Sequence, residues 1–278
     1  VRSKGYSTLN ILGLSLGMTV ALIIGLWVDY ECSHDTFLAD YEQLYQCRRN
    51  FNSNDGILTF STTSLKLAET LRSQVPEIEY VVESDWMGEH GLMVGEKKLY
   101  LKGARINSDF LKVFQYPLLD GNPSVVLRDP YSIVLTESAG KALFGSKNPV
   151  GKMVRFDNED NLKVTGILKD IPSNSTLQFQ FLVPFSYMEI KAPHLKQWRT
   201  ESFSYNGFQQ FAKLKDGIAY EQVAPKIKNI QHTQKDNVNA MKSEVIMQPL
   251  KDWHLYNEYK DGKANTGFID YIRMFSII

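Results

Sequence analysis

One stretch, Leu9–Val28 (LNILGLSLGMTVALIIGLWV), constrains everything else. It carries no charged side chain, and the uncharged run extends from Gly5 to the residue before Asp29. A bilayer core is spanned by about 20 apolar residues in a helix, so this segment is long enough. A buried soluble helix of that length would show a polar stripe, but Asn10, Ser15 and Thr19 are scattered singly. Arg2 and Lys4 precede the run, and Asp29, Glu31 and Asp35 follow it. The positive-inside rule then places the N-terminus in the cytoplasm and everything after about residue 29 outside. A signal peptide is the competing reading. Its apolar region would be only about 7–15 residues and would end at a small-residue cleavage site, which Trp27-Val-Asp-Tyr-Glu is not. The expectation is a retained anchor.

Within this helix Gly13, Gly17, Ala21 and Gly25 recur every four residues and share one face, a smooth ridge against which another helix can pack closely. Glycine and alanine are also common in membrane helices generally, so the ridge has a purely compositional reading as well. The same residues contain Gly13-Leu-Ser15-Leu-Gly17, which matches the G-x-S-x-G pattern of serine hydrolases. That motif needs a strand, a sharp turn and a helix, and a continuous apolar helix offers none of these.

The 278 residues allow one large or two modest domains beyond the anchor. Lys+Arg 31 against Asp+Glu 31 gives no basic footprint for nucleic acid. Hydrophobic content of 43% and aromatic content of 12% suit a folded, core-bearing ectodomain. Cys32 and Cys47 could pair outside the cytoplasm, but sequence leaves their geometry open. His34, His90, His194, His232 and His254 are widely separated, with no His or Cys at ligand spacing, and read as surface or capping residues. No P-loop or G-x-G-x-x-G is present. Glu159-Asp160 reads as a solvated turn, and Asn174-Ser-Thr as a formal glycosylation sequon. Nothing argues for an enzyme, a metal or a bound cofactor, so no catalytic, cofactor or metal residues are assigned.

Periodicity and punctuation predict an α+β fold. A strand at 44–51 is followed by a turn at 52–56, a helix at 64–74 ended by Pro76, and a strand at 77–86. Residues 91–180 change to short strands (92–94, 97–106, 132–136, 152–156, 162–168) with small helices at 108–114 and 137–144. The second of these helices takes Thr136 as N-cap and Gly145 as C-cap. A resumed strand pattern at 181–186, a strand at 205–214, a helix at 219–230 and a strand at 243–250 roughly mirror the first unit. The expected division is 1–29 cytoplasmic flank and membrane helix, 30–90 and 181–250 two halves of one α+β subdomain, 91–180 a strand-rich insertion, and 251–278 a return to the membrane. The apolar run Tyr271–Ile278 stops mid-stride, as a second membrane helix cut short would, and the start lacks an initiator Met.

Asn10-Ile-Leu-Gly-Leu-Ser-Leu-Gly followed by Tyr30-Glu-Cys-Ser-His-Asp-Thr-Phe resembles the first membrane helix and exit segment of FtsX-like, MacB-type ABC transporter permeases. Val134–Lys152, Val164–Ser175, Asp252-Trp-His-Leu-Tyr and the terminal Tyr271–Ile278 are similar to the family's later motifs, in the same order. The resemblance covers essentially the whole chain. It implies a porter-like subdomain split by an inserted, strand-rich (Sabre-like) subdomain, in a multi-pass protein of the bacterial inner membrane with a periplasmic ectodomain. It further implies a mechanotransmitting permease driven by a separate or fused ATPase that binds the ATP. Such permeases expel antibiotics, peptides or similar cargo, and often act as homodimers with a periplasmic adaptor and an outer-membrane channel. The rival reading is a membrane-anchored sensor or scaffold ectodomain without a transport role.

Overall fold

Helix α1 (Arg2–Cys32) runs unbroken through the apolar stretch. Its span Gly5–Cys32 is long and apolar enough to cross a membrane, and none of its most apolar window is buried within the chain. The computed structural model describes residues 2–235 and 237–276. The chain then enters β1 (Leu44–Ser53), which turns through Asn54-Asp55 into β2 (Gly56–Phe60). The expected turn at 52–56 is thus tighter than its composition suggested. The hairpin uses Gly56 at φ +122°, a conformation side chains resist. A short β3 (Thr63–Ser64) leads to α2 (Leu65–Gln74), where Ser64 Oγ accepts from Leu67 N–H at 3.3 Å. Such a cap contributes about 1 kcal/mol. The next strand is β4 (Ile78–Ser84).

The middle of the chain contains β5 (Gly88–Val94), β6 (Lys97–Ile106), α3 (Phe110–Phe114), β7 (Leu118–Asp120), β8 (Ser132–Thr136), α4 (Glu137–Phe144), β9 (Met153–Phe156) and β10 (Asp160–Leu168). Thr136 and Gly145 flank α4 as its caps. Then β11 (Phe181–Pro184) pairs parallel with β6 and antiparallel with β8. The segment expected to open the second half therefore completes the middle one. The order β6–β5–β9–β10–β8–β11 returns to β6, so six strands close into a hydrogen-bonded ring. Closure removes exposed edges. Phe156, Phe181, Val164, Leu135 and Leu92 fill the ring. Gly103 permits the closure, because a Cβ there would stand 2.5 Å from the Phe181 ring and carbonyl.

Two helices missed in the sequence follow, α5 (Phe185–Lys191) and α6 (His194–Glu201). The chain ends with β12 (Asn206–Leu214), α7 (Tyr220–Ile227), α8 (Val238–Met241), β13 (Ser243–Pro249), the hairpin β14 (Glu258–Lys260) and β15 (Lys263–Thr266), and α9 (Phe268–Phe275). Strands β4–β12–β1–β13 form an antiparallel layer built from both flanks of the middle segment. Alternation along each strand gives this layer two apolar faces. On one face Leu67, Leu71, Val223 and Ile227 of α2 and α7 pack on Val81, Ala212 and Val245. On the other, Val82, Phe211 and Trp253 join Phe110, Phe114, Phe179 and Leu182 in a core shared with the middle region.

An ionic knot binds the helices to this layer. Arg199 of α6 pairs with buried Glu83, with Glu189 at 2.6 Å and with Glu69 at 3.1 Å. Burial opposes the Arg199 charge, but Glu83 and Glu189 outweigh it and hold the group protonated.

Candidate functional site at the end of the apolar helix

Among the described residues, nothing packs on the four-residue ridge of α1. Nothing lies within 4 Å of a Cβ built on Gly13, Gly17 or Gly25, and Ala21 is exposed. Ser15 lies in continuous helix, its carbonyl accepting from Thr19 Oγ1 at 2.8 Å, and not on a strand–turn–helix elbow. Contacts that join the helix exit to the rest of the molecule gather at residues 27–38, the polar ones at 31–35.

There the chain bends sharply. Ser33 Oγ donates to the Tyr30 carbonyl at 2.7 Å, and Asp35 adopts φ +61°, a left-handed conformation that aspartate tolerates better than most residues. Asp35 is only 1% exposed. Its Oδ1 accepts from Thr176 N–H at 2.9 Å and Ser175 Oγ at 3.1 Å, while its own N–H donates to the Asn174 carbonyl at 2.9 Å. Asn174 Nδ2 donates in return to the Ser33 carbonyl at 3.1 Å and to Ser33 Oγ at 3.0 Å. The sequon asparagine is thus a structural tie between the helix exit and the 172–178 loop. Buried Tyr116, its phenol pushed up by desolvation, places its hydroxyl 3.2 Å from Ser175 Oγ.

A second set of contacts reaches the return segment. Glu31, 8% exposed, is hydrogen-bonded through Oε2 to Nε2 of His254. The His34 and His254 rings stack with centroids 3.5 Å apart and planes 5° from parallel. Phe268 of α9 stacks on His254 at 4.9 Å, and Trp27 of α1 meets Phe275 edge to face at 5.6 Å. One residue before His254, Trp253 is buried against Phe211 at 5.1 Å in the shared core. The helix exit is therefore joined on one side to the middle region and on the other, through Trp253, to the sheet layer.

Two readings of the sequence change here. His34 has the capping role expected of it, with Nδ1 3.2 Å from the Tyr30 and Glu31 carbonyls at the end of α1, but it also meets His254 beside Glu31 across 220 positions of chain, which no local spacing could announce. Cys32 and Cys47 are both free thiols; Cys32 is exposed and Cys47 is sealed in the core beneath α2 and α7, its pKa pushed up to about 12 by burial. Glu159 is exposed as expected, but Asp160 is half-buried at the start of β10, accepting from the Tyr187 hydroxyl at 2.9 Å; both carboxylates pair with Lys191 at 2.9 Å.

An apolar helix long enough to cross a membrane thus feeds without a break into an α+β body and is held at its exit by two sets of contacts. Residues 7–230 match the family model of the MacB-like periplasmic core domain, and the chain belongs to that family, the periplasmic domain of ABC-type transporter permeases. Solved structures share the fold. A domain described as that of a permease protein from Porphyromonas gingivalis superposes with a TM-score of 0.65 at 16% identity, covering 85% of this chain and 98% of that one. The periplasmic region of MacB from Actinobacillus actinomycetemcomitans gives 0.51 at 20%, covering 72% and 87%. The extracellular domain of the noncanonic ABC-type transporter YknZ from Gram-positive bacteria gives 0.52 at 18%, covering 73% and 99%. No curated protein sequence matches the chain.

Proposed function

We propose that this domain is a mechanical transmitter: α1, moved by an ATPase on the cytoplasmic side, displaces the ectodomain as a body through the junction at residues 31–35. The observation that carries this reading is the double tie of the helix exit. Asp35 and Asn174 bind it to the middle region, while Glu31 and His254 bind it to the return segment and, through Trp253, to the sheet. Both ties use buried or half-buried polar groups, which lose about 1–3 kcal/mol each when left unpaired, so the junction resists slipping. A hinge made of water-exposed linker would dissipate the same displacement.

In this reading the chain performs no catalysis and holds no nucleotide, and ATP is bound by the separate or fused ATPase. The ridge Gly13, Gly17, Ala21 and Gly25 receives another helix of the permease or of a homodimer mate. The protein is a multi-pass inner-membrane permease that works with a periplasmic adaptor and an outer-membrane channel in efflux of antibiotics, peptides or similar cargo.

The test requires no knowledge of the cargo. Spin labels on α1 and on α4 report nucleotide-driven distance changes in the assembled transporter. Asn174→Ala should leave ATP hydrolysis and the shift at α1 intact while reducing the shift at α4. Equal shifts at both labels in parent and variant would sink the proposal.

A further inference from the structure

We propose that Glu31, His34 and His254 form a binding site for one divalent transition-metal ion of the zinc type. One ligand atom from each side chain lies within 4.8 Å of the other two, close enough for a single ion to gather all three. Two imidazole nitrogens and one carboxylate oxygen are a donor set that Zn²⁺ takes at about 2.0–2.2 Å, with water in the fourth position. Calcium and magnesium prefer all-oxygen shells and are disfavoured here.

The tautomers support the assignment. His34 Nδ1 stands 3.2 Å from both the Tyr30 and the Glu31 carbonyl oxygens. Carbonyls only accept, so Nδ1 carries the proton and Nε2 offers its lone pair. Metal-ligating histidines are oriented by this same device, a ring N–H held by a backbone carbonyl. His254 already directs Nε2 at Glu31 Oε2. The ion takes the place of the hydrogen between those two atoms, and a neutral His254 then carries its proton on Nδ1. A metal lies in the plane of each ring it binds, which rings 5° from parallel at 3.5 Å cannot share. Binding therefore splays the stack, with the two half-buried rings tilting apart while His34 Nδ1 stays on the helix-end carbonyls.

Side-chain exposures of 19% for His254 and 10% for Glu31 leave the cluster reachable from solvent. Glu31 and His34 belong to the helix exit and His254 to the return segment, so the ion would cross-link the two. Its consequence for force transmission rests on the function proposed above, whereas its binding does not.

Calorimetric titration of ZnCl₂ into the metal-stripped, full-length permease in detergent, without nucleotide or cargo, tests the site. One zinc per chain is expected. His254→Gln and His34→Gln should each weaken it by more than the about 10–100-fold that loss of an outer-shell partner costs. His194→Gln, remote on α6, should bind as the parent does. His34→Gln removes a partly exposed ring, and an unchanged metal-free melting curve shows that its loss of binding is not misfolding. No uptake by the parent, or uptake that persists undiminished in both cluster variants, overturns the proposal. Zinc binding that survives in Asn174→Ala while transmission fails would separate this inference from the transmission reading.

Discussion

Replacing Asp35 dissects the junction. Three substitutions separate its two contributions, the acceptor and the left-handed backbone. Asp35→Ala removes Oδ1, leaving the Thr176 N–H without its acceptor at 2.9 Å, and forces a Cβ-bearing, non-polar residue to hold φ +61°. The lost charge-assisted hydrogen bond is worth about 1.5–3 kcal/mol. Alanine in the left-handed region adds about 1 kcal/mol. Ser175 recovers part of its loss, since the Leu177 carbonyl already stands 3.2 Å from its hydroxyl. Asp35→Ala should therefore destabilise by about 2–4 kcal/mol, or roughly 4–16 °C in Tm for a chain of this size. Asp35→Gly keeps the backbone and loses only the acceptor, so it should fall about 1 kcal/mol short of alanine. Asp35→Asn keeps both an acceptor oxygen and tolerance of the conformation, and should cost about 1 kcal/mol through the missing charge. Thermal unfolding in detergent gives the order, and amide exchange of a peptide covering 172–178 localises it. A glycine variant as stable as the parent, or an asparagine variant as damaged as alanine, would refute the account.

Gly17→Leu should insert normally, because leucine is the more apolar residue, yet impair helix association in the assembled permease; Ile23→Leu, off the ridge, should be silent. Crosslinking yields decide this, and parent-like assembly of Gly17→Leu would leave the ridge compositional. Single-cysteine labelling with an impermeant reagent should modify position 173, exposed beside the Asn174 tie, and spare position 2 in intact cells, with the reverse pattern overturning the orientation. Native protein should alkylate at Cys32 alone and at both thiols in denaturant, as burial holds the Cys47 thiol neutral. Because its folded pKa, about 12, exceeds the ordinary 9.0, that contribution to stability is complete below about pH 9 and is lost as pH rises toward 12. Gly103→Ala should destabilise by at least the about 1–3 kcal/mol typical of overpacking, since the Phe181 carbonyl cannot retreat without breaking the ring; an unchanged Tm would count against that closure.

Local chemistry made much of this protein legible in advance. An uncharged stretch of twenty or so residues describes one long apolar helix, and α1 is unbroken over it and long and apolar enough to cross a membrane. Ser64 and Thr136 mark helix starts by the same short-range logic, each accepting from an N–H three residues on. Strand positions in the middle region came from alternation and Gly or Asn turns. Partner choice among strands did not, because pairing energy is nearly independent of which edge supplies it and only the filled core discriminates. Phe181–Pro184 reads as a strand in either half, and its place in the ring is set by Gly103, which lets the Phe181 ring lie against β6. The histidines show the same limit more sharply. His34 lies beside an apolar helix and His254 after a buried tryptophan, each with an unremarkable neighbourhood in sequence. They share Glu31 because Asp35 turns the helix exit toward the 174–176 loop, while Trp253 anchors the return segment in the common core. Short-range physics wrote the elements into the sequence; the meeting of residues 31, 34 and 254 depends on long-range packing that no local pattern encodes.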